Sequence, residues 1–333
     1  MALISLIRRK DGSSQFLLLL LGGVHLVASL QLSMFQRFHQ LRLHTRLQNR
    51  LFSLGISNQI RNDIFIGDID GVRRRINFLD IGNDSSNPPI VYLGGTAQTI
   101  QSFSLHTRAF SNSRRLIIPE LRGQGRTDLL PQYCFIDRHC KDFVALMEIL
   151  NVTEVHLVGF SFGGRVACAI AGMHPNLVSR LSITGVPLRR PAVGKFIINS
   201  WCEGLSSRQI RNVAWSFVIN GYSQAFIEKY ESRLESFVDM VVESNDVDKL
   251  FHLIDKSKSA VNDTYAVDMC ASKIVCPCQV IGATEDRIAG YTAVADLAAT
   301  IENASFETIN SGHLAPFEDP INWRKKVLSF LEA

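Results

Sequence analysis

The stretch VHLVGFSFGGRVACAIAG, residues 155–172, joins a run of apolar β-forming residues to a helical pattern of small residues. Ser161 stands at the junction, inside a G-x-S-x-G pattern formed with Gly159 and Gly163. Glycine is expected at these two positions if a strand turns sharply into a helix, because any side chain there would collide with the turn. Such a turn lifts the Ser161 hydroxyl above a sheet and places the Phe162 N–H beside it, where a helix N-terminus favours negative charge.

The rest of the chain supports a strand-and-helix architecture around this junction. From about residue 63 onwards, short apolar runs alternate with segments of helical periodicity. This alternation predicts an α/β fold with a mostly parallel, eight-stranded sheet and helices on both faces. The first two runs are separated by Asp70 and Gly71, which predicts a β-hairpin at the start of the sheet.

One long segment interrupts the alternation. Between Pro187 and about Ser272 the sequence is helical in pattern and contains no clear strand, and the alternation then resumes. We interpret this segment as a helical cap inserted between the sixth and seventh strands, in preference to an independent second domain. The predicted organisation is an N-terminal extension (1–62), a core in two pieces (63–187 and 273–333) and a cap (188–272).

Ser161 requires a base, because a serine hydroxyl is a weak nucleophile until its proton is removed. Among the nine histidines, only His313 follows the predicted last strand on a glycine-flanked loop, from which an imidazole reaches over the end of the sheet. The base in turn requires an acid that orients it. The loop after the preceding buried strand offers Glu285 and Asp286, of which we choose Asp286 and keep Glu285 as the alternative.

Four segments of the body resemble the α/β-hydrolase fold family, of the capped serine hydrolase type, and the resemblance covers roughly residues 63–333. They are ELRGQGRTD (120–128), GFSFGG (159–164), IGATEDRI (281–288) and SGHLAPFEDP (311–320). The order Ser161, Asp286, His313 along the chain is the order expected of a catalytic triad in this family. The resemblance implies no metal and no cofactor.

The same resemblance implies where the oxyanion hole lies. One donor is the backbone N–H of Phe162, directly after the nucleophile. The second comes from the loop after the third strand, which the family usually writes as His-Gly-x and which here reads LGGTAQT, residues 93–99. Gly94 replaces the histidine, Gly95 is retained, and Thr96 falls at the donor position. The missing histidine leaves the shape of this loop open.

Three classes of function are compatible with these residues. The leading hypothesis is a serine hydrolase that cleaves a carboxylic ester or thioester with an apolar acyl group, because the predicted cap is rich in aromatic residues. Packing within the cap itself is the other explanation for those aromatic residues. The alternatives are an acyltransferase, with an acyl-carrier-protein or CoA thioester as donor, or a lyase using the same triad, and a non-catalytic binding protein with the same fold.

Arg165 is the one residue near the serine that hints at a substrate. It lies in the first turn of the predicted helix, where a positive charge opposes the helix dipole and is expected to be paired. An internal acid such as Glu120 is one candidate partner, and a substrate carboxylate is the other. Arg165 is therefore a candidate substrate-binding residue.

The net charge of +4 is concentrated in the N-terminal extension, where eight Lys and Arg residues stand against Asp11 alone. The body lacks a basic and aromatic stripe, which argues against nucleic acid as a partner. Residues 16–32 are apolar and residues 34–52 are Arg-rich and free of acids, which predicts membrane association through residues 16–50. A cleaved signal for secretion and an organelle-targeting segment are the alternatives. The seven scattered cysteines are interpreted as buried free thiols.

Overall fold

The computed structural model describes residues 63–67, 73–82, 87–112, 114–129, 135–258 and 263–333. The predicted N-terminal extension, with its apolar and Arg-rich segments, and the Asp70–Gly71 turn lie outside these residues. Within the described ranges, the helices are all too short or too polar to cross a membrane.

Eight strands form one sheet, in the order β1-β2-β4-β3-β5-β6-β7-β8. The strands are β1 (Asp63–Gly67), β2 (Arg73–Ile81), β3 (Ile90–Leu93), β4 (Leu116–Pro119), β5 (Val155–Phe160), β6 (Val178–Thr184), β7 (Cys278–Ala283) and β8 (Ala304–Ile309). β2 pairs antiparallel with both β1 and β4. The other neighbours are parallel, which confirms the predicted mostly parallel, eight-stranded sheet.

Helices cover the sheet and continue after it. They are α1 (Ser104–Ser111), α2 (Ile136–Ile149), α3 (Ser161–Met173), α4 (Ala192–Ser206), α5 (Ile210–Gly221), α6 (Gln224–Lys229), α7 (Leu234–Ser244), α8 (Val247–Ser257), α9 (Val267–Cys270), α10 (Tyr291–Thr300), α11 (Ala315–Glu318) and α12 (Pro320–Glu332). In the core, α1 contacts α12 while α2 contacts α3. Two pairs of contacting helices are expected when one helical layer covers each face of the sheet.

The strand and the helix on either side of the β5–α3 junction are both buried. Every residue of β5 is buried, as expected for a central parallel strand covered on both faces. α3 is also buried from Phe162 to Gly172, and its small side chains let neighbouring segments approach closely. A Cβ atom on Gly172, for example, would lie 2.7 Å from the carbonyl oxygen of Cys270 in α9.

The described part of the segment between β6 and β7 consists of helices α4 to α9 and contains no strand. Its aromatic side chains pack mainly on one another. The rings of Tyr222 and Phe226 stack with their centroids 4.1 Å apart, and Trp201 meets Phe217 edge-on at 4.4 Å. Packing within the cap therefore accounts for much of its aromatic content, which is the alternative to an acyl-binding role given in the sequence analysis.

The cysteines of the described ranges form no disulfide bonds. All six of them are buried free thiols: Cys140, Cys168, Cys202, Cys270, Cys276 and Cys278. Burial raises the pKa of these thiols, to about 11 for Cys270 and for Cys276. They are therefore protonated and unreactive at neutral pH, and the prediction of buried free thiols is confirmed for these six.

Two buried histidines make the stability of the fold dependent on pH. Burial lowers the pKa of His106 from 6.5 to about 4. Burial, followed by the positive charges of Arg114 and Arg180, does the same for His156. The unfolded chain takes up protons below about pH 6.5 and the folded protein does not do so until about pH 4, so acid favours unfolding. From pH 7 to pH 5, each histidine is expected to lower the free energy of unfolding by about 2 kcal/mol.

Denaturant unfolding of the wild type and of His156→Gln, each at pH 7 and pH 5, measures this effect. The variant is expected to lose about 2 kcal/mol less than the wild type over that interval. An equal loss in both proteins would contradict the assignment to His156.

Candidate active site

Ser161 is the first residue of α3 and follows directly on the last residue of β5. Its φ angle is 51°, in the left-handed region that residues with a side chain seldom adopt. The two glycines of the pattern allow the turn to pack tightly. A Cβ atom on Gly159 would lie 2.6 Å from the Cα of Gly164, and one on Gly163 would lie 2.2 Å from the carbonyl oxygen of Leu93.

The predicted base reaches Ser161, and the predicted acid reaches the base. The imidazole Nε2 of His313 lies 2.8 Å from Ser161 Oγ, and its Nδ1 lies 2.7 Å from Asp286 Oδ2. The other carboxylate oxygen of Asp286 accepts hydrogen bonds from the backbone N–H groups of Ile288 (2.9 Å) and Ala289 (2.8 Å). A carboxylate held in this way accepts a hydrogen bond from Nδ1–H and keeps the proton on that nitrogen, which leaves Nε2 free to accept the Ser161 proton.

The three hydrogen-bonded residues differ in their exposure to solvent. His313 and Asp286 are buried, whereas Ser161 is half-buried and remains accessible. Glu285, the alternative acid, is solvent-exposed, so the structure favours Asp286. Gly185 is needed beside the base, because a Cβ atom there would lie 3.1 Å from the His313 ring.

The loop after β3 lies against Ser161, as the resemblance implies. A Cβ atom on Gly95 would lie 3.3 Å from the Cβ of Ser161. Thr96 follows in the same loop, and its N–H stays the predicted second donor. The N–H of Phe162 belongs to the first turn of α3, where backbone N–H groups have no acceptor within the helix. Both predicted donors thus belong to segments that flank the serine.

The side chains that hold this loop in place escaped the sequence-based predictions. Gln98 accepts a hydrogen bond from the Gly95 N–H (2.8 Å), while its own N–H donates to the side chain of Gln124 (2.9 Å). From the cap, Asn245 donates to the carbonyl oxygen of Ala97 (3.2 Å). The loop after the third strand is therefore fixed by tertiary contacts rather than by the histidine that the family usually carries there.

The ELRGQGRTD segment (120–128) also makes hydrogen bonds that hold this loop. Besides Gln124, it supplies Glu120, whose carboxylate accepts hydrogen bonds from the Asn77 side chain (2.7 Å) and from the N–H groups of Arg126 (2.7 Å) and Ile100 (3.1 Å). Burial raises the pKa of Glu120, and these hydrogen bonds act in the opposite direction. Ile100 begins the turn that follows the loop, so Glu120 ties the loop to strand β2.

Arg165 is buried and does not pair with Glu120, which corrects the first of the two expectations. Its guanidinium donates to the carbonyl oxygen of Ser257 (2.9 Å), at the end of cap helix α8. Burial lowers the pKa of Arg165, and the negative charge of Asp263 opposes that effect. The Ser257 carbonyl and Asp263 both belong to the segment that leads from the cap back to the core. A contact between Arg165 and a substrate stays a prediction.

No group of three or more His, Cys, Asp or Glu side chains is arranged to bind a metal ion within the described ranges. A hydroxyl, a base within hydrogen-bonding distance and a buried carboxylate behind the base form a set that transfers an acyl group through a covalent intermediate.

The chain has the α/β-hydrolase fold. Residues 88–214 match the family model described as alpha/beta hydrolase fold. The crystal structure of MGS-M2, an α/β-hydrolase enzyme from a Medee basin deep-sea metagenome library, matches with a TM-score of 0.73 and 20% sequence identity. That match covers 81% of this chain and 98% of the other.

Two relatives similar in sequence to this chain are enzymes of stated activity. Pyrrolizixenacetamide deacetylase of Xenorhabdus hominickii is 25% identical over 251 residues, which are 74% of this chain and 92% of the relative. The monoacylglycerol lipase ABHD6 of Homo sapiens is 24% identical over 263 residues, which are 75% of this chain and 77% of the relative. Both relatives are hydrolases by name, and they support hydrolase activity for this chain.

Proposed function

We propose that this protein is a serine hydrolase that cleaves a carboxylic ester or thioester with an apolar acyl group. The observation that carries the proposal is the position of His313, whose two ring nitrogens lie 2.8 Å from Ser161 Oγ and 2.7 Å from Asp286 Oδ2. These distances are those of a base that takes up the serine proton while a carboxylate stabilises the resulting imidazolium.

The reaction then proceeds in two halves. Ser161 Oγ attacks the substrate carbonyl carbon while His313 Nε2 takes the hydroxyl proton, and the N–H groups of Phe162 and Thr96 stabilise the negative oxygen. The bond to the leaving alcohol or thiol breaks, and His313 donates its proton to that group. In the second half, water attacks the acyl carbon while His313 Nε2 takes a proton from it. The bond between the acyl carbon and Ser161 Oγ then breaks, His313 returns the proton to Oγ, and the carboxylic acid leaves.

The aromatic side chains around the base support an apolar acyl group. The rings of Phe160 and His313 lie 5.3 Å apart, and Phe317 lies 6.2 Å from Phe160. Phe317 and Leu314 also pack against the aromatic cluster of the cap. The named activity of ABHD6, a monoacylglycerol lipase, further supports a fatty acyl substrate in preference to a polar one.

Two experiments test the proposal. A fluorophosphonate probe is expected to label the wild type and not the Ser161→Ala variant, and absence of labelling in the folded wild type would remove every catalytic hypothesis. A panel of acyl esters and acyl thioesters of increasing chain length then identifies the substrate class, with Ser161→Ala as the control. Cleavage of short polar esters alone would contradict the apolar preference.

An acyltransferase or a lyase with the same triad is the second candidate, because the fate of an acyl-enzyme depends on whether water or another acceptor reaches it. Product analysis with and without an acceptor alcohol or a carrier protein separates hydrolysis from transfer. A non-catalytic binding protein is the third candidate, which the labelling experiment addresses.

Membrane association through residues 16–50 stays part of the proposal, because the segment combines an apolar run with an Arg-rich one. The first cap helix adds a second apolar feature, since Val193 and Phe196 are 61% and 73% exposed. Flotation of the full chain with anionic lipid vesicles tests this. Leu18→Asp with Leu20→Asp is expected to reduce binding, and unchanged binding would contradict a role for the segment.

A further inference from the structure

The loop that carries His313 is in direct contact with the cap. The Leu314 N–H donates to the carbonyl oxygen of Gly221, the last residue of α5, over 2.8 Å. On the other side of the base, a Cβ atom on Gly312 would lie 2.5 Å from the carbonyl carbon of Tyr222 and 2.6 Å from the Ser223 nitrogen. The residues before and after His313 thus both pack against cap residues 221–223.

One carboxylate joins these two segments. Glu318, at the end of α11, accepts hydrogen bonds from the Gly312 N–H (3.0 Å) and the Ser223 N–H (2.9 Å) through Oε2. Its other oxygen accepts a hydrogen bond from the Ser223 hydroxyl. Gly312 immediately precedes His313, and Ser223 caps the N-terminus of α6. Glu318 is therefore a bridge between the base loop and the cap.

Hydrogen bonds to a charged acceptor are about twice as strong as those between neutral groups. Three of them converge on Glu318, so removal of the carboxylate leaves the donors on Gly312 and Ser223 without their acceptor. The base loop then keeps the Leu314–Gly221 hydrogen bond and loses the bridge at Gly312, on the other side of His313. A displacement of about 1 Å in a catalytic group is enough to reduce a rate about 100-fold.

We propose that Glu318 is a positioning residue that couples the cap to the base, so that His313 is held at Ser161 when the cap is seated at Ser223. This inference rests on the proposed serine hydrolase function and deepens it, because it makes the cap part of the catalytic geometry as well as a cover for the substrate. Glu318 acts through the Gly312 backbone and touches no reacting atom.

The coupling predicts a loss in kcat with little change in KM. Glu318→Ala removes all three hydrogen bonds and is expected to lower kcat about 10- to 100-fold, with KM within about 2-fold of the wild type. Glu318→Gln keeps an acceptor oxygen for both N–H groups, and its amide donates to the Ser223 hydroxyl oxygen. This conservative variant is expected to recover kcat to within about 5-fold of the wild type.

Ser223→Ala separates the cap half of the bridge from the loop half. It removes the hydroxyl donor and leaves the Gly312 bond in place, so a smaller loss of kcat is expected. When Glu318 is already alanine, adding Ser223→Ala is expected to cost little more, because the two residues act as one unit. Independent, additive losses would overturn the coupling. Glu235→Gln and Ser236→Ala, two exposed substitutions elsewhere in the cap, serve as matched controls with wild-type kcat.

The measurements are kcat and KM on the best ester of the panel, the rate of fluorophosphonate labelling and the midpoint of thermal unfolding. Wild-type kcat in a folded Glu318→Ala protein, or a loss confined to KM, would overturn the proposal. If Glu318→Ala does not fold, Ser223→Ala replaces it, and wild-type kcat in that folded variant, or a loss confined to KM, would overturn the proposal. Failure of the proposed function has a different signature, since the wild type itself then shows neither turnover nor labelling.

Discussion

Replacement of His313 by alanine is expected to lower kcat for an ester substrate by about 10⁴- to 10⁶-fold, with the fold retained. The variant loses the only base within hydrogen-bonding distance of Ser161 among the described residues, at 2.8 Å. It also leaves Asp286 without the proton donor that its Oδ2 atom now contacts. The residual rate then comes from the oxyanion donors and from substrate binding alone.

Steady-state kinetics with an activated ester and an active-site titration measure this loss. His174→Ala is the matched control, because His174 lies at the far end of α3 from Ser161 and is expected to be dispensable. A second pair separates the two candidate acids. Asp286→Asn is expected to cost about 10⁴-fold in kcat, whereas Glu285→Gln is expected to leave it unchanged. The reverse ranking would reassign the acid to Glu285.

The substitution Gly163→Ala is expected to destabilise the protein by more than about 3 kcal/mol and to abolish activity with it. The added methyl group would lie 2.2 Å from the Leu93 carbonyl oxygen and 2.4 Å from that of Gly94. Both obstacles are backbone atoms, which no side-chain rotation removes. The strand and the oxyanion loop would have to move away from α3, so stability and catalytic geometry fail together.

Denaturant unfolding at neutral pH measures the stability loss. Gly94→Ala is the matched control in the neighbouring loop, because its methyl group meets side-chain atoms of Gln98 at 3.0 Å and 3.1 Å. A side chain adjusts more easily than backbone, so a loss of only about 1 kcal/mol is expected there. Equal losses in the two variants would show that the close approach of α3 to β3 is not what requires glycine.

The sequence predicts the parts of this molecule that depend on local pattern. The G-x-S-x-G turn, the parallel sheet and the order Ser161, Asp286, His313 are readable because strands, helices and turns have their own periodicities and residue preferences. These features place the serine, the base and the acid at neighbouring positions along one edge of the sheet.

The supporting contacts are not readable in this way, because they join segments far apart in the sequence. Gln98, Asn245 and Glu318 are ordinary polar residues whose roles depend on which backbone groups lie opposite them. Arg165 illustrates the same limit. The argument from the helix dipole correctly required a partner for Arg165, yet the hydrogen bond to the Ser257 carbonyl joins residues 92 positions apart in the chain.

The backbone of Ser161 has a consequence for how this chain evolves. Its φ of 51° suits glycine better than serine, since a residue with a side chain at this angle is held there at a cost of order 1 kcal/mol. Selection for folding alone would therefore favour glycine at this position, and the site would lose its nucleophile. A serine that is retained at this position in related sequences therefore indicates selection for catalysis. Glycine at the same position would identify relatives that have kept the fold and lost the activity.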